Sequence, residues 1–183
     1  DAATLEFLDK EVFTDVTSGA RHEADLIVKA AFRGQDTSFL IHTEAQGRQQ
    51  NHFPSRMFIY FARFYELYRL PIYPIVIFHY KWPLKPEPVA FSLGFPDLEV
   101  LKFSYRAIQL NHLNWRDFLR SSNPVASALM ARMRIKAEER PKVKMECLRL
   151  LATLGLNPAK QQLISGFVDS SRVLPLNMGK LGG

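Results

Sequence analysis

The chain holds one cysteine, Cys147, in 183 residues. A lone thiol excludes an intrachain disulfide and any multi-cysteine zinc site, and it suits a reducing cytosol. Long hydrophobic runs are missing as well. The longest, residues 70–78, contains two prolines and falls far short of the roughly 20 apolar residues a membrane helix needs. No membrane partner is expected. The opening Asp1-Ala2-Ala3-Thr4 is neither basic nor long and apolar, so it does not read as a secretory signal. The start without methionine reads as processing or trimming. Internal repeats and low-complexity tracts are absent. These absences leave a globular, cytoplasmic protein as the expectation.

What is present fits that class. Hydrophobic residues make up 47% and charged residues 23%, as in ordinary globular domains. The length allows one domain with a substantial core, or a core with a helical appendage. Lys and Arg total 24 against 18 Asp and Glu, a formal charge of +6. A basic surface favours polyanions such as nucleic acid or acidic membranes.

Residues 4–16 mix their apolar spacing and lean towards strand. Residues 17–19 read as a turn. Residues 24–32 and 39–43 are apolar and β-prone, with a polar turn at 33–38, and predict a β-hairpin. A helix is predicted from Phe53 to Tyr68: Asn51 or His52 lies near its start, Pro54 suits its first turn, and Pro71 ends it. Its apolar members, including Met57, Phe61 and Phe64, recur at helical spacing and predict core. Residues 72–80 read as a buried strand, with Pro74 near its start or at an edge. A proline-rich loop covers 82–88. Two more strands are expected at 89–93 and 100–110. Helical structure is expected from Asn114, then in a helix capped by Asn123 with Pro124 in its first turn. A further helix opens at Pro141 and stops at Gly155, and a last one spans 157–168. The tail, 174–183, reads as mobile.

Chemistry is suggested at one place. If the hairpin turn centres between Gln35 and Asp36, antiparallel pairing sets Asp25 opposite Gln46 and leaves Glu44 diagonal to Asp25. His42, Glu44 and Gln46, two apart on a strand, share a face. Two carboxylates meeting across a hairpin repel unless a cation lies between them, and hard oxygen ligands suit Mg²⁺ or Mn²⁺. The alternative is an exposed polar strand end, with Arg21 or Arg48 as ion-pair partner. His42 reads as a strand residue on the polar side of the sheet.

The stretch from His22 to Tyr68, HEADLIVKAAFRGQDTSFLIHTEAQGRQQNHFPSRMFIYFARFYELY, resembles the recombination-promoting nuclease / putative transposase family of the PD-(D/E)xK nuclease superfamily. The resemblance rests on an "ADL-V" strand, an "L-H-E-Q" strand and an "RM--Y--R-Y" helix. The later phrases NPVASALMARM, ERPKVKMECLRLL and LISGF look similar too, so it covers roughly residues 5–172. It implies a restriction-endonuclease-like mixed α/β fold: a core over residues 1–121 with a mixed β-sheet flanked by helices, then a C-terminal helical extension over 122–173. It also implies a metal-dependent DNA endonuclease of a transposase or recombination type. Asp25 and Glu44 would then hold Mg²⁺ or Mn²⁺ with the backbone carbonyl of Ala45. Gln46, in the place usually held by lysine, would orient the attacking water. A homodimer is implied, because cutting two strands takes two sites. The family also has a helix ahead of this region, often with another acidic residue, and here almost nothing precedes Leu5. That helix is lost, or the chain is a fragment.

Basic residues near this region have two readings each. Lys29 shares the strand face of Asp25 but lies about 13 Å along at ~3.3 Å per residue, which casts it as a DNA phosphate contact. Arg48 is a second candidate contact. Arg56, Tyr60 and Arg63 share one helical face: a phosphate-binding stripe, or a solvated face with Arg63 paired to a carboxylate. The run 132–144 carries six basic residues against Glu138 and Glu139. It would contact a DNA backbone or form a solvated surface. Aromatics are interleaved with aliphatics, which argues against a base-stacking platform. The rival reading of the whole chain is a catalytically inactive DNA-binding or assembly module that keeps the nuclease fold.

Overall fold

The computed structural model describes residues 2–8, 11–14, 21–32, 37–120 and 123–153. In chain order these form β1 (Ala2–Phe7), β2 (Glu11–Thr14), β3 (Arg21–Glu23), β4 (Leu26–Phe32), β5 (Ser38–Gln46), α1 (Phe53–Tyr68), β6 (Ile72–Phe78), β7 (Ala90–Phe95), β8 (Leu98–Ser104), β9 (Arg106–Gln109), α2 (Pro124–Leu129) and α3 (Arg140–Thr153). Short 3₁₀ turns lie at Leu110–His112, Trp115–Phe118, Met130–Arg132 and Ala137–Glu139. The turn expected at 17–19, most of the hairpin turn, the stop at Gly155, the helix at 157–168 and the tail at 174–183 lie outside the described residues.

The architecture is mixed α/β. Five strands form one sheet in the order β1-β4-β5-β6-β9, and β2-β3 and β7-β8 form two-stranded sheets. β1, β4 and β5 pair antiparallel, whereas β5, β6 and β9 run parallel. Parallel neighbours need a crossover. Here α1 carries the chain from β5 to β6, and the β7-β8 hairpin lies between β6 and β9.

The predicted helix at Phe53–Tyr68 is α1, residue for residue. Pro54 supplies the fixed φ of a first helical turn, where its missing N–H costs nothing. Phe53, Met57, Tyr60 and Phe64 recur at helical spacing and are buried. The helix stops before Pro71, at Arg69, whose φ of 53° is left-handed and whose N–H donates to the Tyr65 carbonyl. Proline therefore follows the stop and does not cause it.

The expected strand at 100–110 divides in two. β8 pairs with β7, and β9 joins β6 in the main sheet. Tyr105 is the joint: its N–H donates to the Val89 carbonyl and its hydroxyl to that of Pro88. No glycine or proline marks the switch. Pro74 sits where β6 pairs only with β5, since β9 begins its pairing at Ile75. A proline there leaves no ladder bond to β9 unmade.

Both faces of the main sheet are covered. Val76, Phe78 and Tyr80 pack on Phe53 and Met57 of α1. Ile77 faces the other way, into a cluster with Leu110, Trp115, Met130, Met133 and Val143. Asn123 caps α2 as expected, its Oδ1 accepting the N–H groups of Val125 and Ala126. The segment after β9 thus closes the second face of the sheet.

Candidate functional site

The carboxyl ends of parallel strands are where α/β sheets usually bind ligands. Glu44 and Gln46 lie at that end of β5, and Asp25 stands one residue before β4. The ladder pairs Leu26 with Thr43 and Ile27 with His42. One step further sets Asp25 directly across from Glu44, not from Gln46. The observed register is slipped by two residues from the expected one, and it brings the two carboxylates closer.

Backbone groups hold them in place. Asp25 Oδ2 accepts the N–H of Ala45 at 2.6 Å, and the N–H of Asp25 donates to Glu44 Oε1 at 3.2 Å. Each negative charge therefore meets an amide dipole supplied from the strand that carries the other. Such charge-assisted bonds are about twice as strong as neutral ones. Glu44 is 3% exposed, so these donors also replace lost water.

His42 departs from its expected place on a polar side. Its side chain is fully buried, with Nε2 2.9 Å from Glu44 Oε1. A carboxylate accepts, so Nε2 donates. The imidazole stands edge-on to Tyr60 and Phe64, with ring centres at 5.6 and 4.9 Å. The shared face of His42, Glu44 and Gln46 is thus the buried one under α1. His42 Nδ1 has no partner among the described residues.

Gln46 is buried, and its Nε2 donates to the Ala45 carbonyl at 3.3 Å. The Gln46 carbonyl accepts from His79 N–H on the β6 side. Carbonyls alternate sides along a strand, so the Ala45 carbonyl faces the β4 side, towards Asp25. Asp25 and Glu44 are cross-strand neighbours beside that carbonyl. This is a hard oxygen donor set, and it suits Mg²⁺ or Mn²⁺. Among the described residues, no group of three or more His, Cys, Asp or Glu side chains is arranged to hold a metal. A centre here would therefore draw on the backbone oxygen.

Tyr60 belongs to this neighbourhood. Burial raises its phenol pKa, and the charge of Glu44 raises it further; Arg56 opposes and Asp25 adds. Arg56 reaches the site's edge with its Nη1 on Gln50 Oε1 at 2.8 Å and its guanidinium over the Phe53 ring. Its Nε is buried with no partner among the described residues. Two of the other expected DNA contacts stand apart. Arg63 is exposed and pairs with Glu66, and Lys29 lies 4.0 Å from Glu6 on the neighbouring strand. Arg48 is exposed on the loop just after Gln46.

Sequence reasoning missed His79. It follows β6, is buried, and approaches Gly47 so closely that a Cβ there would lie 2.9 Å from the imidazole Cε1. Only the parallel pairing of β5 with β6 brings them together, and no local motif encodes that.

No family model, curated protein or solved structure matches this chain. Among the described residues, no helix is long and apolar enough to cross a membrane.

Proposed function

We propose that the protein is a metal-dependent DNA endonuclease with a PD-(D/E)xK-type centre, acting in a recombination or transposition setting in the cytoplasm. The observation that carries the reading is the direct cross-strand placement of Asp25 and Glu44, with the Ala45 carbonyl turned towards them. These three would hold Mg²⁺ or Mn²⁺. A metal so held lowers the pKa of a bound water and stabilises charge on a phosphodiester. Gln46 would orient the attacking water through its amide. Arg48 and Arg56 would hold the DNA backbone near the centre; Lys29 and Arg63, further off, would serve at most as outlying phosphate contacts. A homodimer would supply the second site that double-strand cutting takes.

One observation favours the inactive-module reading instead. Gln46 Nε2 already occupies the Ala45 carbonyl, and no lysine stands in its place. A plasmid-nicking assay in Mg²⁺ separates the two readings. Cleavage by the wild type that is abolished in Asp25→Ala, with DNA binding kept, supports the nuclease. Salt-dependent DNA binding without nicking in either protein leaves the inactive module.

A further inference from the structure

On the opposite face of the sheet from α1 lies an open cleft of about 630 Å³. That size falls within the roughly 300–1,000 Å³ of small-ligand sites. Lys81, Arg132, Arg134 and Arg140 line it, and no carboxylate does among the described residues. None of the four cations forms an ion pair with a described residue. Glu139, next to Arg140, is turned to Arg116 instead. Four like charges around one cleft repel one another, and an anion relieves that repulsion.

The remaining walls are not those of a site for phosphate alone. Met133, Ile135 and Val143 give the cleft an apolar side, and Trp82 stands at it 64% exposed. A tryptophan indole left in water beside guanidinium groups is a stacking surface for a nucleobase. The loop that presents Lys81 and Trp82 is held rigidly. Asn111 Nδ2 donates to the carbonyls of Lys81 and Pro83 at 3.2 and 3.0 Å, and Gln109 Nε2 to that of Lys85. Gln49 ties the loop after Gln46 to Glu87 of the same segment. The site is therefore built before a ligand arrives, and less ordering entropy is lost on binding.

We infer that this cleft binds a nucleotide, with its phosphate on Arg132, Arg134 and Lys81 and its base against Trp82. Part of the basic run 132–144 thus gains a defined role, and the fold supplies a stacking position that the sequence pattern did not show. The ligand is either a free nucleotide or one unit of a single strand. The inference does not depend on Asp25 or Glu44, and its test excludes divalent metal.

Trp82 is also the reporter, since the only other tryptophan, Trp115, is buried. The full chain in EDTA is titrated with dTMP, with a ten-residue oligo-dT and with thymidine, following tryptophan fluorescence. Saturable quenching by dTMP or by the oligonucleotide is expected, weakened roughly tenfold or more by Arg134→Glu and by Lys81→Glu, as loss of a charge-assisted contact should do. Lys102→Glu, on the exposed β8, should leave it unchanged. Comparable affinity for dTMP and oligonucleotide identifies a site for one free nucleotide, and much tighter oligonucleotide binding identifies a strand. Absence of saturable quenching with both overturns the inference. So does equal quenching by thymidine, or indifference to both charge reversals.

Discussion

Asp25 and Glu44 face each other across the β4-β5 ladder, and the N–H of Asp25 donates to Glu44 Oε1 at 3.2 Å. The link runs from backbone to side chain. Ala45 N–H returns the favour to Asp25 Oδ2. This exchange lets two acidic residues stand side by side across the ladder. The repulsion between them is reduced but remains.

Removing one charge while keeping an acceptor for Ala45 N–H should therefore stabilise the metal-free protein. Asp25→Asn is expected to raise unfolding stability by about 0.2–1 kcal/mol, the usual scale of a like-charge cross-strand pair. Urea unfolding in EDTA checks it. A loss above that range would mean that Asp25 serves as a structural anchor more than as a repelled charge.

His42 fills the space between Glu44 and two aromatic rings of α1. His42→Ala should cost about 2–4 kcal/mol, through the cavity and the lost donor to Glu44. His42→Gln keeps a donor and should cost less. Denaturant midpoints of the two variants measure the difference.

The hairpin, α1 with both its ends, and β6 were legible in the sequence, because apolar spacing and Pro54 speak locally. The register at Asp25 was not. Side chains alternate with period two, so a slip of two residues buries the same face, and Asp25 opposite Gln46 looks as good as Asp25 opposite Glu44. The division of residues 100–110 was hidden because apolar residues continue through Tyr105 while the chain changes sheets. His42 was misplaced because a histidine two residues from a glutamate reads as polar surface until α1 is laid over it. The cleft joins residues 79–82 to 131–143, which only tertiary packing brings together.

Burial, and then the charge of Arg132, lower the pKa of His79. The folded protein thus binds the proton less readily than the unfolded chain. The stability this provides is present above the unfolded value of about 6.5 and is lost as the pH falls through the lowered folded value. Thermal midpoints should drop as the pH falls below 6.5, and His79→Gln should flatten that drop. An unchanged acid slope in the variant would assign the effect to other groups.

Arg69 holds a left-handed φ of 53° at the end of α1. A non-glycine residue there costs about 1–2 kcal/mol, and glycine removes the clash at some cost in chain entropy. Arg69→Gly should gain roughly 0.5–1 kcal/mol. Loss of the Arg69 contact over the Tyr65 ring works against the gain. Chemical denaturation checks the gain, and a net loss of stability would contradict it.

We propose that the Asp25–Glu44 pair, with the Ala45 carbonyl, is a divalent-metal centre. Calorimetric titration of Mg²⁺ and Mn²⁺ into the wild type and Glu44→Ala tests it most directly. Saturable binding by the wild type and none by Glu44→Ala is the result expected. No binding by the wild type, or equal binding by both proteins, would contradict it.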